Sequence, residues 1–488
     1  MTEGIAVRMA TRLSPDPGRV IARLFVPGQE LLAGSESRAS GVVERILALD
    51  DDEVRVALAS VMQRFDGRHR SVADIFRRHA GRIANRIAAE VALSDERRQL
   101  LGATFTHEFA IEGAALCNPS MVAHPDQTDV PAGGLRFIMS VRGIGEGHQS
   151  SIGFRVGTID ADGWVSVDAP EPFPTSGPVH AGPFHRSVFN GKLSELGANG
   201  ENAAYVLDSL ADEFTEDDLD LALARMRSQR DTRRGSGDTA AQLRAIAACS
   251  YTTSFPDDTH ESERVLWPAT ASESHGMEDA RFVRFVDDDG VAVYYATYTA
   301  FDGVAITQQL LETTDFVTFA SSPIAGRAAA NKGLALFPRR VGGRFAAMSR
   351  CDRETNSVAF SDDPRRWNGA VSVQGPIETW ETIQLGNCGS PIETSDGWLV
   401  LTHAVGPMRT YSIGALLLDL DDPTVVIGRL TEPLLVPIPE EQDGYVPNVV
   451  YSCGALLHAG SLVIPYGIAD SAIGIAIVTL ADLLAALE

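Results

Sequence analysis

The chain has 488 residues, 44 % of them hydrophobic and 22 % charged, with a formal net charge of −24 and a pI near 4.8. That length suits one large fold with insertions or two domains, and the apolar content is enough for a sizeable core. So acidic a field repels nucleic acid and anionic membranes, so neither is expected as a partner, and any anion pocket must be assembled locally from Arg, Lys and His.

The first twenty residues lack the apolar stretch of a secretory leader. No run approaches the ~18–20 apolar residues of a membrane span. The five cysteines, Cys117, Cys249, Cys351, Cys388 and Cys453, are dispersed and show no CxxC spacing. Neither a disulfide framework nor a zinc site is expected, and the protein reads as cytoplasmic.

From about residue 42 to 116 the chain reads as helical. Val42–Leu49, Asp52–Phe65 and Val72–Val91 repeat apolar residues every three or four positions, with Arg and Glu between them. Residues 1–116 are therefore assigned to an N-terminal helical extension. The character changes at Cys117-Asn118-Pro119. Short strand-like runs follow, broken by Gly, Asp and Pro: 135–143, 291–300, 344–350, 397–405 and 461–467. A helical insertion at about 185–250 interrupts them, with periodicity over 203–227, further helix at Gln242–Ala248, and a polar loop, Ser228–Asp238, expected to be mobile. Residues 481–488 read as a closing helix.

A weak repeat runs through the strand-rich part. An acidic residue stands four places before an aromatic at Asp160/Trp164, Asp315/Phe319 and Asp363/Trp367, and Asp315 and Asp363 are 48 residues apart. A four-stranded propeller blade takes ~40–50 residues. The expected fold is mainly β, a five-bladed propeller over 117–480.

Glu278-Asp279 follows a glycine and precedes an Arg and a strand-like run, Phe282–Val286, a position suited to a catalytic acid at a turn. Asn331-Lys332, Arg350, His403 and Tyr411 lie at the ends of separate strand-like runs, and together would suit a phosphate. Spacing alone leaves both groups equally readable as solvated surface residues. Gly143-Ile144-Gly145-Glu146-Gly147 is glycine-rich, but its flanks are not strand and helix, so it is a weak nucleotide signal.

The order of several motifs resembles glycoside hydrolase family 130, the β-mannoside phosphorylases and related β-mannosidases. They are Gly276-Met277-Glu278-Asp279-Ala280-Arg281, Tyr298-Thr299-Ala300, Asn331-Lys332-Gly333, Leu336-Phe337-Pro338, Gly397-Trp398-Leu399, Gly414-Ala415 with Leu418-Asp419, and Tyr466-Gly467 with Asp470. The resemblance spans roughly Asn118 to Asp470 and implies a five-bladed propeller. It implies Asp279 as proton donor, Lys332, Arg350, His403 and Tyr411 for phosphate, and Asn118, Ser120, Arg142 and Asp470 around the mannosyl ring. Ala280, Gly333 and Ala404 depart from the Pro, Asn and Gly usual in the family.

A hydrolase of inverting type uses two carboxylates, whereas a phosphorylase uses one acid and cations that hold the nucleophilic phosphate. One acid with a basic cluster points to inverting phosphorolysis of a β-mannoside (β-1,2 or β-1,4) to α-mannose 1-phosphate, with phosphate as co-substrate and no cofactor or metal. A β-mannosidase using water and a non-catalytic sugar-binding propeller are the alternatives. A homo-oligomer is expected through the N-terminal helices.

Overall fold

Short runs rich in apolar, aromatic and β-branched residues form strands where the sequence pattern placed them, most of them buried along nearly their whole length. In the computed structural model, which describes residues 5–27, 38–88, 91–230 and 235–488, the runs singled out above become Leu135–Ile144, Ala292–Phe301, Phe345–Ser349, Trp398–Val405 and Ser461–Ile468. Strand exceeds helix, 37 % against 26 %, so the chain is mainly β.

The chain divides into two compact units. The larger takes the residues up to Pro15, Ala114–Pro170 and Ser176–Glu488; the smaller takes Asp16–Gly113 with Glu171–Thr175. In the larger unit most strands fall into five antiparallel runs, with Tyr251–Ser254 added beside Thr318–Pro323 and Arg264–Leu266 beside Ser150–Ile159. The first is Ala115–Ala123, Leu135–Ile144, Ser150–Ile159 and Val165–Val167. The second is Gly276–Val286, Ala292–Phe301, Ile306–Thr313 and Thr318–Pro323. One parallel pairing, Gly276 beside Ser150, joins these two. The third is Ala335–Leu336, Phe345–Ser349, Asn356–Ser361 and Ala370–Gln374. The fourth places Gln384–Asn387 and Ile392–Glu393 beside Trp398–Val405, followed by Tyr411–Leu418 and Val426–Arg429. The fifth places Val450–Tyr451 and Leu456–His458 beside Ser461–Ile468, followed by Ala472–Thr479. Its outermost strand, beside Ala472–Thr479, is Val7–Leu13, from the other end of the chain.

The acidic repeat has a structural cause. Each acid sits in the turn between the third and fourth strands of a run, where its carboxylate accepts backbone N–H groups that the turn leaves without strand partners. Asp160 takes Asp162 and Trp164, Asp315 takes Val317 and Thr318, and Asp363 takes Arg365. Asp419 does the same for Asp421 and Asp422 in the fourth run. The pattern search missed it because Pro423, not an aromatic, lies four places on.

The insertion is helical: Arg186–Glu195, Glu201–Leu207, Glu216–Arg230 and Ser236–Ala247. They close over a core that includes Phe184, Phe189, Phe214, Met226 and Leu243. The single helix expected over 203–227 is two. Thr215 and Asp218 exchange side chain and backbone bonds, capping a fresh N-terminus just before Glu216. Of the loop expected at Ser228–Asp238, residues 231–234 lie outside the described residues, and helix occupies much of the remainder.

In the smaller unit the helices are Arg38–Leu47, Asp51–Phe65, Val72–Arg82 and Asp95–Thr104, around Ala39, Val43, Ile83, Leu101 and Phe105. Gly102 lets two of them touch, since a Cβ there would lie 1.8 Å from the Phe76 carbonyl oxygen. The helix expected over Val72–Val91 stops at Arg82. Thr106–Ala110, inside the stretch expected to be helical, is a strand paired with Val20–Leu24. The partner strand lies some eighty residues earlier, which a local periodicity count does not sense.

Candidate active site

Every run of the larger unit contributes a strand end or turn to one group of ionisable side chains. Asp279 lies near the start of Gly276–Val286, a strand rather than the loop expected. The strand is bulged there: the register passes from Glu278 opposite Thr299 to Arg281 opposite Thr297. The extra residue lets Asp279 adopt a positive φ of 54°. Non-glycine residues take that conformation at a cost, and Asp is among the more tolerant.

Arg281, which sequence reasoning passed over, holds this bulge. It is 1 % exposed. Its Nη1 donates to the Asp279 carbonyl oxygen at 3.2 Å and its Nη2 to the Tyr451 hydroxyl at 2.7 Å. Tyr451, likewise unpredicted, packs edge-on against His403 with ring centroids 4.8 Å apart. Its signal in the sequence was thin: two residues of strand between loops.

Around the Asp279 carboxylate the charges alternate. Arg142 Nη1 is 3.9 Å from Asp279 Oδ1. Arg142 Nη2 donates to Glu278 Oε1 at 2.6 Å, and Lys332 Nζ donates to Glu278 Oε2 at 2.5 Å. Glu278 thus ties two cations together beside the acid. Burial favours protonating Asp279, but the charges of Lys332, Arg281 and Arg142 outweigh it and hold the carboxyl below its ordinary value. Lys332 remains 31 % exposed and reaches solvent.

Arg350 follows Phe345–Ser349 directly. Its Nη1 donates to His403 Nε2 at 3.1 Å, while His403 Nδ1 donates to the Asn387 carbonyl at 3.2 Å. These two bonds assign the tautomer. Burial, then Arg350 and Arg281, push the imidazole well below its usual range, so it is neutral. His403 therefore orients Arg350 with its Nε2 lone pair and presents no proton from that atom, unlike the direct phosphate donor expected. Tyr411 stacks beside it, centroids 6.4 Å apart and planes 9° from parallel. Gly386 makes room: a Cβ would lie 2.6 Å from His403 Cε1 and 3.0 Å from Arg350 Cδ. Gly333, a departure from the family pattern, sits at φ 109°, where glycine is favoured.

Asn118 lies in a register shift of Ala115–Ala123, at φ 47° and buried. Ser120 is wholly buried, and its hydroxyl accepts the Phe282 N–H at 3.0 Å, tying the first run to the Asp279 strand. It does not offer the open hydroxyl expected of a ring contact. Asp470 occupies the turn after Ser461–Ile468 at φ 49°. Burial raises its carboxyl, with Arg142 opposing and Asp279 adding, to about 6.

Several buried donors here have no hydrogen-bond partner within the protein: Nε of Arg142, Arg281 and Arg350. Among the described residues, no group of three or more His, Cys, Asp or Glu is placed to hold a metal.

The sequence profile described as beta-1,4-mannooligosaccharide phosphorylase, that of glycoside hydrolase family 130, matches residues 252–488. Over 230 residues the chain is 36 % identical to a 1,2-beta-oligomannan phosphorylase of Thermoanaerobacter sp. (strain X514), covering 45 % of this chain and 73 % of that protein. Over 346 residues it is 27 % identical to a beta-1,2-mannobiose phosphorylase of Listeria innocua serovar 6a, covering 64 % and 94 %. A beta-1,4-mannooligosaccharide phosphorylase of Ruminococcus albus is 35 % identical over 164 residues, covering 31 % and 49 %. The profile takes in Asp279 and all four of the expected phosphate residues, the first relative is matched over 73 % of its length, and the chain belongs to glycoside hydrolase family 130.

Proposed function

We propose that the protein is an inverting β-mannoside phosphorylase, transferring a mannosyl group from a β-mannoside to inorganic phosphate and releasing α-mannose 1-phosphate. The observation that carries this reading is a buried, bulge-held acid, Asp279, beside Lys332 and an Arg350 that His403 orients, while the neighbouring carboxylate of Glu278 is tied up by Arg142 and Lys332. Phosphate is itself the nucleophile, so cations stand where a hydrolase keeps its second carboxylate.

In this reading Lys332, Arg350 and Tyr411 bind phosphate, and His403 positions Arg350. Asn118, Arg142 and Asp470 face the mannosyl ring, with Ser120 behind them. Asp279 supplies the leaving-group proton, directly or through a sugar hydroxyl. An ionised acid is poorly suited to that role, but phosphate bound among the same cations offsets their field and raises its proton affinity. Phosphate thus both attacks and readies the acid.

The five four-stranded runs are, in our reading, the blades of a five-bladed propeller, with Val7–Leu13 closing the last blade. Supporting this are the recurrent Asp turns between third and fourth strands and the gathering of site residues at strand ends. We further infer a cytoplasmic enzyme, consistent with five free cysteines, and a homo-oligomer; light scattering giving a monomer mass would count against the latter.

The test is incubation with β-1,2- and β-1,4-mannobiose with and without phosphate. Cleavage that requires phosphate supports the reading. Equal mannose release in its absence replaces it with hydrolysis, and no turnover with measurable sugar binding replaces it with a binding protein.

A further inference from the structure

Beside Asp470 the rim of the site carries an aromatic pair that none of the assigned roles uses. The turn Gly145–Gln149 follows the strand that bears Arg142. On one side it is tied to the catalytic strand's approach, where Gln149 Nε2 donates to the Ser274 carbonyl at 3.1 Å, five residues before Asp279. On the other, His148 Nδ1 hydrogen-bonds the Tyr445 hydroxyl, and the two rings lie 5.7 Å apart, tilted by 50°. Tyr445 is in turn pinned to the Asp470 turn. Its backbone N–H donates to Ser471 Oγ at 2.6 Å, and the neighbouring Gly444 runs so close that a Cβ there would lie 2.6 Å from Ala469 Cβ. His148 stands at φ 62°, directly after Gly147 at φ 64°. Tyr445 is 40 % exposed and His148 is exposed as well.

An exposed ring pair, held on one side to the segment leading into the Asp279 strand and on the other to the Asp470 turn, has the properties of a sugar platform. One end is amphipathic and rigid, little side-chain freedom remains to be lost on binding, and pyranose C–H faces pack well on such rings. The mannosyl side of the site is already occupied by Arg142, Asn118 and Asp470, so the remaining partner is the saccharide on the other side of the scissile bond. We propose that Tyr445 and His148 form the surface on which the leaving saccharide packs. The inference rests on the phosphorylase reading for which bond is cleaved.

Its test reads binding apart from turnover. Affinities for the mannobiose that the protein accepts, for mannose and for inorganic phosphate are measured by calorimetry on the full chain, for Tyr445→Ala, His148→Ala and Tyr445→Phe. The proposal predicts a roughly three- to tenfold loss of mannobiose affinity in both alanine variants, the size of an aromatic contact. Tyr445→Phe, which keeps the ring, stays within twofold of the native protein; phosphate affinity is unchanged in all three, whereas mannose, itself the leaving saccharide of mannobiose, loses affinity alongside mannobiose in the alanine variants. Unchanged mannobiose affinity in Tyr445→Ala overturns the proposal, whether or not its Tm falls, because the pair is then only a latch between loops. An equal loss for phosphate overturns it too, because the whole site has then shifted. If mannobiose is cleaved without phosphate, the phosphorylase reading fails while these affinities still judge the platform.

Discussion

Replacing Asp279 with asparagine is the most informative single perturbation. Asn is nearly isosteric and accepts a left-handed φ at least as well as Asp, so the bulge at φ 54° should survive. The change removes one proton and one negative charge. Loss of a positioned general acid costs roughly 10²–10⁴ in rate, and that is the expected fall in kcat on mannobiose. The loss should depend on the leaving group. An aryl mannoside with a strongly acidic phenol, such as 2,4-dinitrophenol, departs without a proton, so on it the variant should approach native turnover. The charge has a second consequence. Arg142 is 3.9 Å from the carboxylate, an attraction of about 4 kcal/mol at an effective dielectric constant of 20, much of it cancelled by desolvation. The folded-state value of Asp279 lies below its unfolded value. Its ionised form therefore stabilises the fold above the unfolded value near 4, and that contribution fades as pH falls through the folded one. Asp279→Asn should be less stable than the native protein at pH 7, with the difference closing below about pH 4. The assay is steady-state phosphorolysis on both substrates beside thermal melts across pH. An equal rate loss on the dinitrophenyl mannoside and on mannobiose would refute the acid assignment.

Lys332→Ala and Arg350→Ala should each raise KM for phosphate by about two orders of magnitude, the range for losing a charge-assisted anion contact, while KM for the mannoside changes little; kinetics with each substrate varied in turn checks this. Gly386→Ala puts a methyl 2.6 Å from His403 Cε1, so phosphate affinity should fall although no ligand-contacting group is removed, which calorimetry with phosphate reads directly. Asp470 has a carboxyl raised to about 6 by burial. Its protonated form is favoured in the folded state, so that stability is present at low pH and lost as pH rises through 6. Asp470→Asn should melt higher than the native protein at pH 8 and no higher at pH 4, and should remove the step near pH 6 from the pH profile of mannoside KM.

Much of this was legible in the sequence because it was local. Leu135–Ile144 declares itself by alternation and Trp398–Val405 by a short, β-branched and aromatic apolar run, and the helices of the insertion carry their own period. Lys332, Arg350, His403 and Tyr411 stood out as cations and donors at the ends of predicted strands, though only the family order joined them into one set. What escaped depends on partners distant along the chain. Val7–Leu13 is a strand because Ala472–Thr479 pairs with it, and Thr106–Ala110 because Val20–Leu24 does. Arg281 lay inside the motif already quoted, yet its role needs Tyr451, 170 residues on. Gly386 shows no signal until the approach of His403 and Arg350 to its Cα is known. The family order assigned His403 to phosphate, and its bonds to Arg350 and to the Asn387 carbonyl are visible only in three dimensions.

The central claim is that phosphate attacks the anomeric carbon with inversion. Proton and phosphorus NMR of the first product formed from mannobiose in phosphate buffer tests it most directly. The account predicts α-mannose 1-phosphate, formed in step with one equivalent of mannose. Free mannose as the sole product, or a β-configured phosphate, would contradict it.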